Sequence, residues 1–222
     1  MVRQNAADTL NSNKIKSDAF YNSVIEYGRE NAEWLKRFNV ENGGVSRYEK
    51  YQIFVEQKLN DDSPETIEVL LEKYSEEVKS KLLTCEVSEA LYSISTHKGS
   101  WAVISGSDQN ELREILKKRG IHKLFDGGIY GSPRNKYEII SQEIPISEIN
   151  PDKVLLIGDS KLDAMVAKKF RFQFAFVADW SEIDSSAFEE IFSSYFIFET
   201  LNQLLEAQDK NHSYLSEKTK IH

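Results

Sequence analysis

The sequence predicts an α/β fold, a parallel sheet with helices on both faces, joined to a separate helical segment. Three observations carry this. From Trp101 onward, short apolar runs rich in β-formers (WAVIS, KVLLIG, FQFAFV, YFIF) alternate with helical patterns (QNELREILKKRG, KYEIISQEI, LDAMVAKKF, SSAFEEIF). Strands alternating with helices build parallel sheets through right-handed crossovers. Before them, from about residue 14 to 98, the chain is charged and helix-periodic, with nothing strand-like. Finally, the run VLLI ends in Gly158, Asp159, Ser160 and Asp163, at the strand end where open α/β sheets bind ligands.

The helical segment reads in three parts. FYNSVIEYGRENAEWLKRF and RYEKYQIFVEQKL are separated by Gly43 and Gly44. SPETIEVLLEKYSEEVKSKLL is the clearest helix. Ser63 suits the N-cap, Pro64 the first helical position, and Glu65 and Glu68 the first two turns. Ile67, Leu70, Leu71, Tyr74, Val78 and Leu82 then share one face. The aromatic residues Phe20, Tyr21, Tyr27, Trp34, Phe38, Tyr48, Tyr51 and Phe54 read as packing. Cys85 falls in a helical pattern as a small packing residue, and the runs EKYSEEVKSK and LREILKKRG read as solvated helix faces. The last segment, LNQLLEAQDKNHSYLSEKTKIH, begins as a helix and fades into a polar tail.

Composition narrows the class. With 222 residues, 40% of them hydrophobic, the chain can bury one large or two smaller cores. A net charge of −8 disfavours nucleic acid and anionic membranes as bulk partners. One cysteine excludes an internal disulfide framework. His97, His122, His212 and His222 show no metal-ligand spacing. The apolar runs are far shorter than a membrane span, and MVRQNAADTLNSN lacks the apolar core of a secretory signal. The expectation is a soluble cytoplasmic protein.

Chemistry-bearing residues stand at two predicted strand ends. Asp159 and Asp163 would offer hard oxygens to magnesium, which takes one or two carboxylates plus waters and phosphate oxygens. Equally, they could cap the following helix. WAVISGSDQNEL ends a strand in Ser105, Gly106 and Ser107. A hydroxyl with free backbone N–H groups there would bind an anion, or a serine could serve as the N-cap. Lys136, in FDGGIYGSPRNKYEII, would hold a phosphate as a point charge.

Order and spacing join these residues. Ser105, Lys136 thirty-one residues later and GDSKLD twenty-three further on resemble the second, third and fourth motifs of the haloacid dehalogenase-like superfamily. The stretch GIHKLFDGGIYGSPRNK resembles the approach to the family's lysine. Residues 14–98 resemble the helical cap of its phosphoglycolate phosphatase-like branch. The resemblance implies a Rossmann-like core of residues 1–13 and 99–206, a helical cap of 14–98 and a polar tail of 207–222. It implies a magnesium-dependent phosphatase of a small phosphorylated metabolite, acting through an aspartyl-phosphate. Ser105 and Lys136 would be catalytic and, with Gly106 and Ser107, phosphate-binding. Asp159 would ligate the metal directly and Asp163 would support it.

The first motif departs from the family pattern. Its D-x-D pair falls on Gln4 and Ala6 when LNSN is aligned, or on Asn5 and Ala7 when TL is aligned. Neither register supplies an aspartate, and Asp8 fits neither. The apolar strand before it is reduced to Met1, Val2 and Arg3. A carboxamide or a methyl cannot accept a phosphoryl group as a carboxylate does, and the metal site loses an anionic oxygen. Three explanations stand open. The chain is a degenerate member, or it uses Asp8 after rearrangement, or its first residues are an altered start. The degenerate state reads best, giving impaired hydrolysis with a weakened magnesium site. The alternative is a non-catalytic phosphate-ligand or protein-binding relative.

Overall fold

The computed structural model describes residues 2–4, 10–61, 63–94, 99–145, 147–179, 181–183 and 196–210. Its centre is a six-stranded, all-parallel sheet. The strands are β1 (Val2–Gln4), β2 (Val103–Asp108), β3 (Ile129–Ser132), β4 (Leu155–Gly158), β5 (Gln173–Val177) and β6 (Phe196–Phe198). Their spatial order is β3-β2-β1-β4-β5-β6. The chain works outward from β1 on one side and then returns to β4 on the other. The point where the order reverses therefore lies beside β1, at the place where such sheets bind ligands.

Among the described residues, the predicted helical segment opens with four helices: α1 (Asn13–Val24), α2 (Arg29–Glu41), α3 (Arg47–Phe54) and α4 (Pro64–Leu82). A π-helical turn, Val55–Leu59, extends α3. As the sequence predicts, Ser63 caps α4, its hydroxyl accepting from the Thr66 N–H at 3.4 Å, and Pro64 opens it. Leu70, Tyr74, Val78 and Leu82 are buried along one face. A short α5 (Ala90–Ile94) packs against the C-terminal helix. The remaining helices are α6 (Gln109–Lys118), α7 (Lys136–Glu143), α8 (Lys161–Phe170) and α9 (Leu201–Lys210).

Period-two burial gives the sheet a core on each face. Val103, Leu155, Ile157, Ala175 and Val177 face one way and pack with α6, α9 and the helical segment, including Phe20, Tyr51 and Phe54. Ile104, Leu156, Phe174 and Phe176 face the other way, against α7 and α8.

Four expectations need correction. The strand before the first motif is present: Val2–Gln4 pairs in parallel with both β2 and β4, since a central position supplies ladder bonds that a short polar strand could not obtain alone. The strand expected to end at Ser105 continues to Asp108, with a register irregularity between Ile104 and Asp108. The stretch IYGS, read only as the approach to Lys136, forms β3. Cys85 lies beyond the end of α4, where the Arg119 guanidinium donates to its carbonyl at 2.7 Å. The predicted helix SSAFEEIF lies outside the described residues, and the last helix runs to Lys210.

Candidate functional site

The central strand β4 delivers Asp159 at its carboxyl end, and Ser160 then caps α8. The Ser160 hydroxyl accepts from the Asp163 N–H at 3.3 Å and donates to Asp163 Oδ2 at 2.5 Å. Capping therefore falls to Ser160, and neither aspartate is used for it. Lys136, the first residue of α7, donates from Nζ to Asp163 Oδ1. Both partners are almost fully buried, at 2% and 1% exposure. Breaking such a pair from one side leaves an uncompensated buried charge, so Asp163 fixes Lys136 in place. Gly158 is required by close approach: a Cβ there would lie 2.5 Å from the Asp163 Cβ.

Asp159 is buried beside this pair. Its Oδ2 accepts from Asn13 Nδ2 at 2.5 Å, and its carbonyl accepts from the Ser181 hydroxyl at 3.1 Å. Burial raises its pKa, with the Asp163 charge adding to the effect. The Asn13 hydrogen bond and the Lys136 and Lys16 charges oppose the rise.

The end of β2 supplies the second wall. Ser105 and Ser107 are both buried, and the Ser107 N–H donates to Ser105 Oγ at 3.1 Å. The Ser132 hydroxyl donates to the Gly106 carbonyl at 2.8 Å, tying β3 to this turn. Asp108, not a serine, caps α6 by accepting from the Glu111 N–H at 2.9 Å. Both serines are therefore free of the capping role.

The helical segment closes over these strand ends. Gly43 and Gly44, between α2 and α3, lie against Ser160 and Gly106. Gly44 has a φ of 84°, which favours glycine, and a Cβ on Gly106 would meet the Gly44 carbonyl at 2.7 Å. Beneath this loop is a cavity of about 70 Å³. Ser105–Ser107, Asp159 and Ser160 line it from the sheet, and Asn13, Lys16, Asn39, Arg47 and Lys50 line it from the helices. Lys136 lines an adjoining cavity of about 240 Å³ that shares Gly44, Ser105 and Gly106.

The cations differ in how they are matched. Arg47 is buried and donates to Glu111 at 2.6 and 3.1 Å and to Ser75 at 2.8 Å. Lys50, also buried, donates to the neutral Asn39 Oδ1 at 2.6 Å and lies over the Phe20 ring at 5.4 Å. Asn39 in turn donates to Ser17 at 2.8 Å, and Ser17 donates to Glu182 at 2.5 Å. Burial, assisted by the Lys16 charge, lowers the Lys50 pKa to about 7. Burial likewise lowers Lys16 to about 8 against the pull of Asp159.

The predicted residues Ser105, Gly106, Ser107, Lys136, Asp159 and Asp163 thus share one end of the sheet. Gln4 lies in β1 opposite Ile157, whereas Asn5, Ala6, Ala7 and Asp8 lie outside the described residues. Sequence reasoning missed Asn13, Lys16, Asn39, Arg47 and Lys50. One signal was available for α3: Arg47, Lys50, Tyr51 and Phe54 fall at i, i+3, i+4 and i+7, so two charges occupy the buried stripe.

Magnesium, implied by the resemblance, was tested against these donors. Both Asp163 oxygens accept hydrogen bonds, from Lys136 and Ser160, and Asp159 Oδ2 accepts from an amide. No cluster of three metal-ligating side chains occurs among the described residues. A hard cation needs oxygens aimed at one point. Three of the four carboxylate oxygens are aimed at N–H and O–H donors, so the described residues do not fit a divalent cation by themselves.

A serine, a lysine and paired aspartates thus stand together at the strand ends of an open parallel α/β sheet. Residues 10–177 match the haloacid dehalogenase-like hydrolase family, and the chain belongs to it. Among solved structures, a predicted phosphatase from Clostridium acetobutylicum is similar at a TM-score of 0.73 and 18% identity, covering 95% of this chain and 98% of that one. A hydrolase from Pseudomonas syringae gives 0.71 and 13%, covering 94% and 97%. CbbY from Rhodobacter sphaeroides, solved in complex with phosphate, gives 0.62 and 13%, covering 82% and 88%. At these identities the likeness establishes the fold. No curated protein matches in sequence. Among the described residues, no helix is long and apolar enough to cross a membrane.

Proposed function

We propose that the protein binds a small phosphorylated metabolite at the sheet end and hydrolyses it poorly or not at all. Residues 14–98 act as the cap over a core of 1–13 and 99–206, and the cap chooses the ligand. The observation that carries this reading is the cavity where Ser105, Ser107 and Asp159 face Lys16 and Lys50. Hydroxyls, backbone N–H groups and ammonium groups around one space suit a phosphate ester. Lys136 stands one cavity away, held by Asp163, and serves the same phosphoryl group from its far side. Hydrolysis needs a carboxylate at Gln4 or Asn5, and neither position supplies one. The magnesium site is weakened for the same reason, since it lacks that anionic oxygen.

A panel of phosphate monoesters tests both halves of the reading. Ligands in the panel are expected to raise the melting temperature, with phosphate release near background. Turnover at about 1 s⁻¹ or faster, ordinary for an enzyme, refutes the impairment. Failure of every phosphate ester to stabilise the protein refutes the pocket.

A further inference from the structure

Two ammonium groups in the cavity have no role in the hydrolytic scheme. Lys16 lies one helical turn after Asn13 on α1, and both residues line the cavity with Asp159. Lys16 has no hydrogen-bond partner recorded among the described residues, while its charge acts on Asp159. Lys50 reaches the same space from α3 and is 3% exposed, with a neutral amide as its recorded hydrogen-bond acceptor. Arg47 and Lys136 make direct ion pairs, with Glu111 and Asp163, whereas among the described residues Lys16 and Lys50 share the cavity with Asp159 and Glu182 without a direct ion pair. Lys50 is buried and Lys16 half-buried, and two ammonium groups around one cavity favour an anion between them.

The opposing wall presents the complementary groups. Asp159 Oδ2 already accepts from the Asn13 amide, and Asp163 accepts from Lys136 and Ser160. Donors therefore occupy three of the four carboxylate oxygens that a metal ion would need open, and the lysines face the same cavity. Positive charge for a bound phosphate is supplied by side chains.

We infer that this pocket holds its phosphorylated ligand without a divalent cation, Lys16 and Lys50 providing the charge that a metal would otherwise bring. The inference rests on the phosphate-ester reading above and deepens it. It assigns the ligand as a free phosphate-ester dianion and not a magnesium complex of one. Lys16 answers the Asp159 side of the cavity, and Lys50 answers the cap side.

Calorimetric titration of inorganic phosphate into the intact protein, once in EDTA and once in magnesium, tests it. Equal affinity in the two buffers is expected. Lys16→Met is expected to lose roughly tenfold to a hundredfold in affinity, the range for a hydrogen bond to a charged group, and Lys16→Arg to recover part of it. Lys50→Met, made separately, is expected to show a loss of similar size and keeps the test open should Lys16→Met fail to fold. Phosphate bound only in magnesium, or bound undiminished by both methionine variants, overturns the inference and leaves the phosphate pocket standing. No binding in either buffer overturns the inference and the pocket together.

Discussion

Replacing Lys50 with Met should stabilise the protein while removing ligand affinity, and the size of the effect follows from the geometry. Lys50 is buried, its one recorded hydrogen bond goes to Asn39, and its pKa falls from 10.5 to about 7. The charges acting on it are Lys16 and Lys136, which oppose its protonation, and Glu182 and Glu49, which favour it. At 1.36 kcal/mol per pKa unit, burying the charged form costs at most about 5 kcal/mol. Methionine has a similar length and no charge, but it leaves Asn39 Oδ1 without its donor, a loss of about 1–3 kcal/mol. The net gain at pH 6 is about 2–4 kcal/mol, or roughly 5–15 °C in Tm for a chain of this size. Folding lowers this pKa, so between about 7 and 10.5 the unfolded chain binds the extra proton and stability rises with pH. Below about 7 both states are charged, and the folded state carries the full penalty. Urea unfolding at pH 6 and pH 10 should show the unaltered protein gaining stability with pH and Lys50→Met showing a flatter profile. A variant less stable than the parent at pH 6, or a parent whose stability is flat across that window, refutes the reasoning.

Three further experiments probe other parts of the site. Gln4 pairs with Ile157, inside the ladder and two residues short of the level of Asp159, so Asn5→Asp with Ala7→Asp should repair hydrolysis better than Gln4→Asp with Ala6→Asp. Release of p-nitrophenol from its phosphate ester, with and without magnesium, checks this, and the better repair should also gain magnesium dependence. Glu111→Gln leaves Arg47 buried with a neutral partner, and urea unfolding should show a loss of about 3–5 kcal/mol. Gly106→Ala places a methyl 2.7 Å from the Gly44 carbonyl, so the Gly43–Gly44 loop must shift. Phosphate titration should show weakened binding while the far-UV circular dichroism is unchanged.

The sheet residues of the site were legible because each stands in a local pattern. VLLI before Gly158 announces a strand, the strand end locates Asp159, and the helix after it locates Asp163. Ser105 and Lys136 gained meaning from their spacing to that point. β1 was not legible, since Val2–Gln4 has neither the length nor the apolar content of a central strand. Its place comes from ladder bonds to β2 and β4, which are long-range in sequence. Lys16 and Lys50 were obscured differently. A lysine on a charged helix ordinarily reaches water, and nothing within one helix shows that another element will cover it. The cavity is formed by α1, α2, α3 and the Gly43–Gly44 loop together with the strand ends, and that tertiary arrangement brings both lysines to it.

That arrangement also bears on how the site is held together with no first-motif aspartate in either register. In a hydrolase of this family, the nucleophile and the metal would each place charge at the end of β1. Here Gln4 is neutral, and the positions that follow it supply no aligned aspartate in either register. Removing one anion from a site leaves its cations in excess unless the cations are rearranged. Among the described residues, Asn13 gives an Asp159 oxygen a neutral donor, Asp163 is shared between Lys136 and Ser160, and Arg47 is matched by Glu111. Lys16 and Lys50 face the cavity together with Asp159 and Glu182. Without an aspartate at Gln4 or Asn5, retention of a phosphate ester over its cleavage is the outcome we propose for such a pocket.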